Sequence, residues 1–130
     1  MKTTIIRAFA VLVLSAGLYA QTAERMRPGQ WSTSTIVGGK SYAASQCISK
    51  PDADEMNGDV KKVEAYLRKI IPPEACQLTD VKVNGAQVIY TASCGGQAPK
   101  VVTTSYHGDS FEGTDSAGGK TTGKLTGACK

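Results

Sequence analysis

The sequence predicts an α+β domain: an antiparallel β meander of about seven strands, curled or barrel-like, with one helical insertion and two disulfides. Three observations point there. Four cysteines, Cys47, Cys76, Cys94 and Cys129, lie behind an export leader, and an even cysteine count in a short exported chain reads as a disulfide framework. Turn signals at Gly38-Gly39, Asn84-Gly85 and Gly108-Asp109 recur between short alternating apolar and polar runs. Only the segment from Ser49 to Ile71 carries helical periodicity instead.

The leader is expected over residues 1–20. Lys2 and Arg7 supply its positive end, Phe9 to Leu14 its apolar run, and Ala20 a small residue at the cleavage point. The run is too short for a membrane span, and nothing similar recurs. No cysteine follows it, so a lipoprotein anchor is not expected. Residues 21–130 are then a single β-rich domain, periplasmic or secreted. Loss of Lys2 and Arg7 with the leader leaves 13 basic against 11 acidic side chains, a net +2 where the whole chain has +4. So weak a balance does not favour nucleic acid as a partner.

Residues 21–27 read as a short polar arm ended by Pro28-Gly29. Trp31 to Val37 alternates, with Trp31, Thr33, Thr35 and Val37 on one face. After Gly38-Gly39 the returning strand carries Tyr42, Ala44, Cys47 and Ile48. Ser49 is placed to cap a helix, with Pro51 in its first turn and Asp52 three residues on. That helix stops at Asn57-Gly58. Asp59 caps a second, running to Ile71, with Val60, Val63, Leu67, Ile70 and Ile71 in one arc and Lys61, Lys62, Arg68 and Lys69 on the far side. Pro72-Pro73 ends it. Strands follow at Leu78–Val83, Ala86–Cys94, Val101–His107, Ser110–Asp115 and near Lys120–Gly127.

Turn geometry bears on the cysteine pairing. A two-residue Asn84-Gly85 turn sets Val83 opposite Ala86 and puts Cys94 on the face of Val81 and Val83. In a strand without a bulge, Cys76 then lies on the opposite face. Cys47 likewise lies away from Trp31. Of the three possible connectivities, Cys47–Cys76 with Cys94–Cys129 is preferred on this register.

The landmarks resemble a bacterial family, domain of unknown function 3617. The matching residues are Arg27-Pro28-Gly29 with Trp31, Cys47-Ile48-Ser49, Cys76, Asp80 to Gly85, Cys94, Tyr106, Gly108 to Phe111, Gly113 and Gly127-Ala128-Cys129. Gln30 stands where that family more often has an apolar residue. The resemblance implies a small exported β-rich protein. It implies no activity and no catalytic residues.

Few residues suit catalysis. His107, the one histidine, flanks a turn where side chains are usually solvated. A pocket joining it to a serine or carboxylate would revive an enzymatic reading. Asp52, Asp54 and Glu55 are accounted for by the dipole of a helix start, and Asp109, Glu112 and Asp115 lack a calcium-loop spacing. No metal or cofactor is expected. Trp31 and Tyr42 could line a ligand slot, or serve as core. Lys61, Lys62, Arg68 and Lys69 could meet an anionic envelope polymer or a protein, or be an ordinary solvated helix face. The expected function is therefore a non-enzymatic exported binding or envelope-associated domain. The alternative is an inhibitor of a lytic enzyme such as lysozyme, on a short likeness of Tyr90 to Gly96 to some such inhibitors.

Overall fold

The computed structural model describes residues 24–130. The predicted leader lies outside the described residues. Among the described residues, no helix is long and apolar enough to cross a membrane.

The alternation from Trp31 forms β1 (Gly29–Val37), and the Gly38-Gly39 turn returns it as β2 (Lys40–Ile48), with Val37 opposite Lys40. Two helices follow, α1 (Lys50–Met56) and α2 (Val60–Ile70). Both start as the sequence dictates: the Ser49 side chain accepts from the Asp52 N–H, and the Asp59 side chain from the Lys62 N–H. Five strands complete the chain: β3 (Cys76–Asn84), β4 (Gln87–Cys94), β5 (Lys100–Tyr106), β6 (Ser110–Asp115) and β7 (Lys120–Gly127).

These strands make one antiparallel sheet in the order β2-β1-β7-β6-β5-β4-β3. The expected antiparallel meander of seven strands is present, but it is not barrel-like. β2 and β3 are consecutive in the chain yet form the two opposite edges, so the sheet stays open. The helix pair between them packs on one face of this open sheet. The one helical insertion holds the two expected helices, with Asn57 to Asp59 breaking the first and capping the second.

Strand parity decides which residues meet the helices. Trp31, Ile48, Leu78 and Val88 of the sheet join Ala53, Met56, Val63, Tyr66 and Leu67 of the helices in one buried core. Full burial of side chains such as Met56, Val63 and Val88 stabilises by about 1.5–3 kcal/mol each. On α2 the buried set is Val63, Tyr66 and Leu67, while Val60 and Ile70 are largely exposed. The ring of Phe111 lies over Gly123, its directly paired neighbour, where a Cβ would overlap the ring. Glycine there lets the aromatic side chain lie flat on the sheet.

The arm before β1 is structural rather than a polar tail. Arg25 and Met26 are buried. The Asn57 side chain accepts from the N–H of both and donates to the Met26 carbonyl. The Arg27 N–H donates to the Gly108 carbonyl, and the Gly108 N–H to that of Arg25.

The disulfides are Cys47–Cys129 and Cys76–Cys94, which corrects the expected pairing. Two register events explain the difference. The β3–β4 turn pairs Asn84 with Gln87, one residue from the expected position. A bulge then places Asp80 and Val81 opposite Tyr90, with Asp80 at φ 53°, a conformation that aspartate tolerates better than most residues. The extra residue flips the earlier half of β3. Leu78 and Cys76 turn onto the helix-side face, and Cys76 comes directly opposite Cys94 with Cα atoms 4.0 Å apart. Cys47 does face away from Trp31, as expected. Its partner arrives from β7: Gly127 pairs with Gln30, Gln30 pairs with Cys47, and Cys129 lies two residues further on.

Candidate functional site: an aromatic pocket between helix and sheet

Where α2 crosses the sheet it leaves a pocket of about 300 Å³. Its floor is Trp31 and Ile48, with Met26 from the arm. Tyr66, Leu67 and Ile70 of α2 form the roof. Tyr90, Tyr106 and Phe111 form one wall, and threonines and Asp115 line the rim. The volume is at the small end of the range for ligand sites, and the mix of apolar walls with a few polar groups is their usual chemistry.

Each side chain arrives by strand pairing. The Gly108-Asp109 turn sets Tyr106 opposite Phe111, and their rings lie 5.5 Å apart. Phe111 in turn lies 5.7 Å from the Trp31 ring. The Trp31 indole N–H donates to the Arg27 carbonyl at 3.0 Å, which fixes the ring against the arm. The aromatic chain Trp31–Phe111–Tyr106 therefore runs across four neighbouring strands, with β7 contributing the glycine beneath Phe111.

Burial dominates the electrostatics. Desolvation pushes the hydroxyls of Tyr106, Tyr90 and Tyr66 above the ordinary tyrosine value of 10.0. At Tyr66 the Asp52 carboxylate adds to this, while a side-chain hydrogen bond with Gln46 opposes it. The three hydroxyls thus remain neutral hydrogen-bonding groups through the physiological range. Above pH 10 the unfolded chain ionises its tyrosines before the folded chain does, so the folded state holds more protons and loses stability as pH rises. The expected slope approaches 1.4 kcal/mol per pH unit for each tyrosine that stays protonated. Urea titrations between pH 8 and pH 11 should show stability level at first and then falling. Tyr106→Phe should flatten the alkaline fall, and an unchanged slope in that variant would remove Tyr106 as a cause.

Of the two aromatics expected at a slot, Trp31 is in the pocket floor. Tyr42 shares its face but sits near the β1–β2 turn, 57% exposed, alongside exposed Ile36 and Val37. Tyr66, Tyr90, Tyr106 and Phe111 were not anticipated as a set. Parity about the Gly108-Asp109 turn was sufficient to pair Tyr106 with Phe111. Nothing local announces that β1 and β6 lie on either side of β7, or that α2 crosses above them.

The basic helix face is less free than its composition suggests. Arg68 pairs with Glu64 at 2.6 Å, and Lys69 with Glu55 at 2.8 Å and Asp52 at 3.1 Å. Those bonds, to Glu55 first and then Asp52, hold the Lys69 ammonium above its ordinary pKa. Lys61 and Lys62 border a shallow hollow shared with Asp54 and Glu55. The stripe is thus interleaved with carboxylates from α1 and with Glu64 of α2 itself.

On the helix-free face, His107 does share a hollow of about 540 Å³ with Ser110, Glu112, Ser34 and Lys124. The imidazole Nε2 lies 3.8 Å from a Glu112 oxygen, with the side chains 57% and 72% exposed. That separation exceeds hydrogen-bond reach, and solvent surrounds both groups, so the geometry of an oriented base is not assembled. Among the described residues, no three His, Cys, Asp or Glu side chains gather as they would around a metal ion.

A family model described as "Protein of unknown function (DUF3617)" matches residues 26–129. The chain belongs to this family. The match begins at Met26, in the pocket floor, and ends at Cys129, so it takes in the aromatic pocket and both disulfides. No curated protein and no solved structure matches the chain.

Proposed function

We propose that this protein is an exported binding domain, periplasmic or secreted, with no catalytic activity of its own, and that it holds a small apolar-bodied ligand between α2 and the sheet. The aromatic pocket carries the reading. A core of this size normally closes over its aromatics, whereas here Trp31, Phe111 and three tyrosines border an open volume. The two disulfides and the leader expected over residues 1–20 support export. The exposed, separated His107–Glu112 pair supports a non-catalytic role.

The basic face remains a second candidate contact for an anionic envelope polymer or a protein, with Lys61 and Lys62 the residues to test first. The inhibitor reading has less support. Residues 90–94 run along β4, and Tyr90 turns into the pocket rather than outward.

The test uses N-phenylnaphthylamine, a neutral probe that brightens in apolar sites. Wild type should enhance its fluorescence. Thr33→Phe, which places a ring into the pocket from β1, should abolish the effect while keeping the fold. Equal enhancement by both would overturn the pocket as the binding site. Ester, phosphate, glycan or peptide turnover that is lost in Ser110→Ala or His107→Ala would overturn the non-catalytic half.

A further inference from the structure

Resting on the pocket reading, we propose that this site selects amphipathic cations: an aryl or short alkyl body against Trp31 and Phe111, and a protonated amine at the carboxylate of Asp115. Three observations carry the inference. First, Asp115 is the one charged side chain among the described residues that line the pocket; no lysine, arginine or histidine lines it. An anionic head would meet a carboxylate and no cation in the lining; the Arg25 guanidinium near Tyr106 lies outside the lining and is bonded to the carbonyls of Gly85, Met56 and Gly58. Buried charges without partners are costly, so the pocket disfavours fatty acids and aryl acids.

Second, the carboxylate is fixed in place before any ligand arrives. Its Oδ1 accepts from the Ala117 N–H at 2.8 Å and the Gly119 N–H at 3.1 Å, and the Asp115 N–H donates to the Gly119 carbonyl at 3.0 Å. Oδ2 takes part in neither of these side-chain bonds. It lies against Gly119, where any Cβ would collide with it. A glycine at that position lets the β6–β7 turn close tightly while the carboxylate stays at the rim. The turn accounts for one oxygen and leaves the other for a donor.

Third, the aromatic and hydroxyl groups of the lining attract a cation, and the Arg25 charge near Tyr106 lies outside that lining. Aromatic faces attract ammonium groups, and Trp31, Phe111 and Tyr106 form a continuous series with centroid spacings of 5.7 Å and 5.5 Å. The tyrosine hydroxyls offer oxygens that accept hydrogen bonds. A primary amine has three donors to distribute among the carboxylate, those hydroxyls and the rim threonines.

Three probes of one shape decide the matter: phenethylamine, phenethyl alcohol and hydrocinnamate. Each is titrated into the oxidised full domain, with emission from Trp31, the one tryptophan of the chain, as readout. The expected order is amine tightest, alcohol weaker, and carboxylate weakest. Asp115→Asn keeps the oxygen that closes the turn, so the fold should survive, as amide spectra would verify. It should weaken the amine about tenfold, the loss expected for one charge-assisted hydrogen bond, and leave the alcohol unchanged. If the alcohol binds but the amine binds no tighter, or if Asp115→Asn leaves the amine unaffected, charge selection is overturned and the pocket reading stands. If no probe perturbs Trp31, both are overturned.

Discussion

Reduction of both disulfides should leave the domain largely unfolded at ambient temperature. The Cys47–Cys129 bridge spans 82 residues, and by the chain-entropy model it is worth about 4.5 kcal/mol. The Cys76–Cys94 bridge spans 18 residues and should contribute about 3 kcal/mol. Their sum rivals the whole stability of a typical small domain. The two also differ in what they hold. Cys76–Cys94 joins paired positions of a hairpin that the β3–β4 ladder already aligns. Cys47–Cys129 ties the edge strand β2 to the end of the chain across β1, which no single hairpin does. Replacing Cys47 and Cys129 together by serine should therefore lower the urea midpoint more than replacing Cys76 and Cys94 by alanine. The reverse order, or peptide mapping that links Cys47 to Cys76, would refute the assignment of the larger share to the long bridge.

The bridge pattern shows where sequence reading reaches its end. Strand limits, both helix caps and the turn between Tyr106 and Phe111 rest on interactions within a few residues, and they were legible. β6 and β7 lie where their turn signals put them. Cysteine pairing depended on parity along nine residues of β3, and parity does not survive one inserted residue. Asp80 marks that insertion, yet an aspartate a few residues before an Asn-Gly turn is commonplace and singles out no bulge. The open sheet was hidden for a different reason. Whether seven strands close depends on where β2 and β3 finish relative to each other, and no pattern within either strand records that.

The pocket was half legible by the same measure. Trp31 stood out as the one tryptophan on a strand face. Its neighbours in space come from β4, β5, β6 and α2, brought together by the β1–β7 pairing, a contact between residues about ninety apart in the chain. Tyr42 shares the face of Trp31 on the adjacent strand, yet it sits too close to the hairpin turn for the helices to cover it.

Arg25 was hidden most completely, since an arginine in a polar stretch before the first strand has every appearance of a solvated residue. Its side chain is fully buried. Nε donates to the Gly85 carbonyl at 2.8 Å, and Nη1 to the carbonyls of Met56 at 2.8 Å and Gly58 at 3.0 Å. One guanidinium thus joins the β3–β4 turn to the break between α1 and α2. Burial draws its pKa below the ordinary arginine value, and the nearby Tyr106 counters part of that fall; arginine stays charged regardless. Arg25→Met keeps the apolar stem and deletes every donor. Three carbonyls lose a charged partner, each worth about 1–3 kcal/mol, and solvent entry recovers part, so a net loss of roughly 3–5 kcal/mol is expected. Arg25→Lys should lose less, because one ammonium can serve either the turn or the helix junction but lacks the fork that reaches both. The damage should also reach the pocket, because Met26 next in the chain forms part of its floor. Urea titration should therefore rank wild type above Arg25→Lys above Arg25→Met, with probe binding weakened in the same order under conditions where all three remain folded. A wild-type midpoint for Arg25→Met would show that the guanidinium bonds are replaceable by water, and that the arm is held by Asn57 and the Gly108 backbone alone.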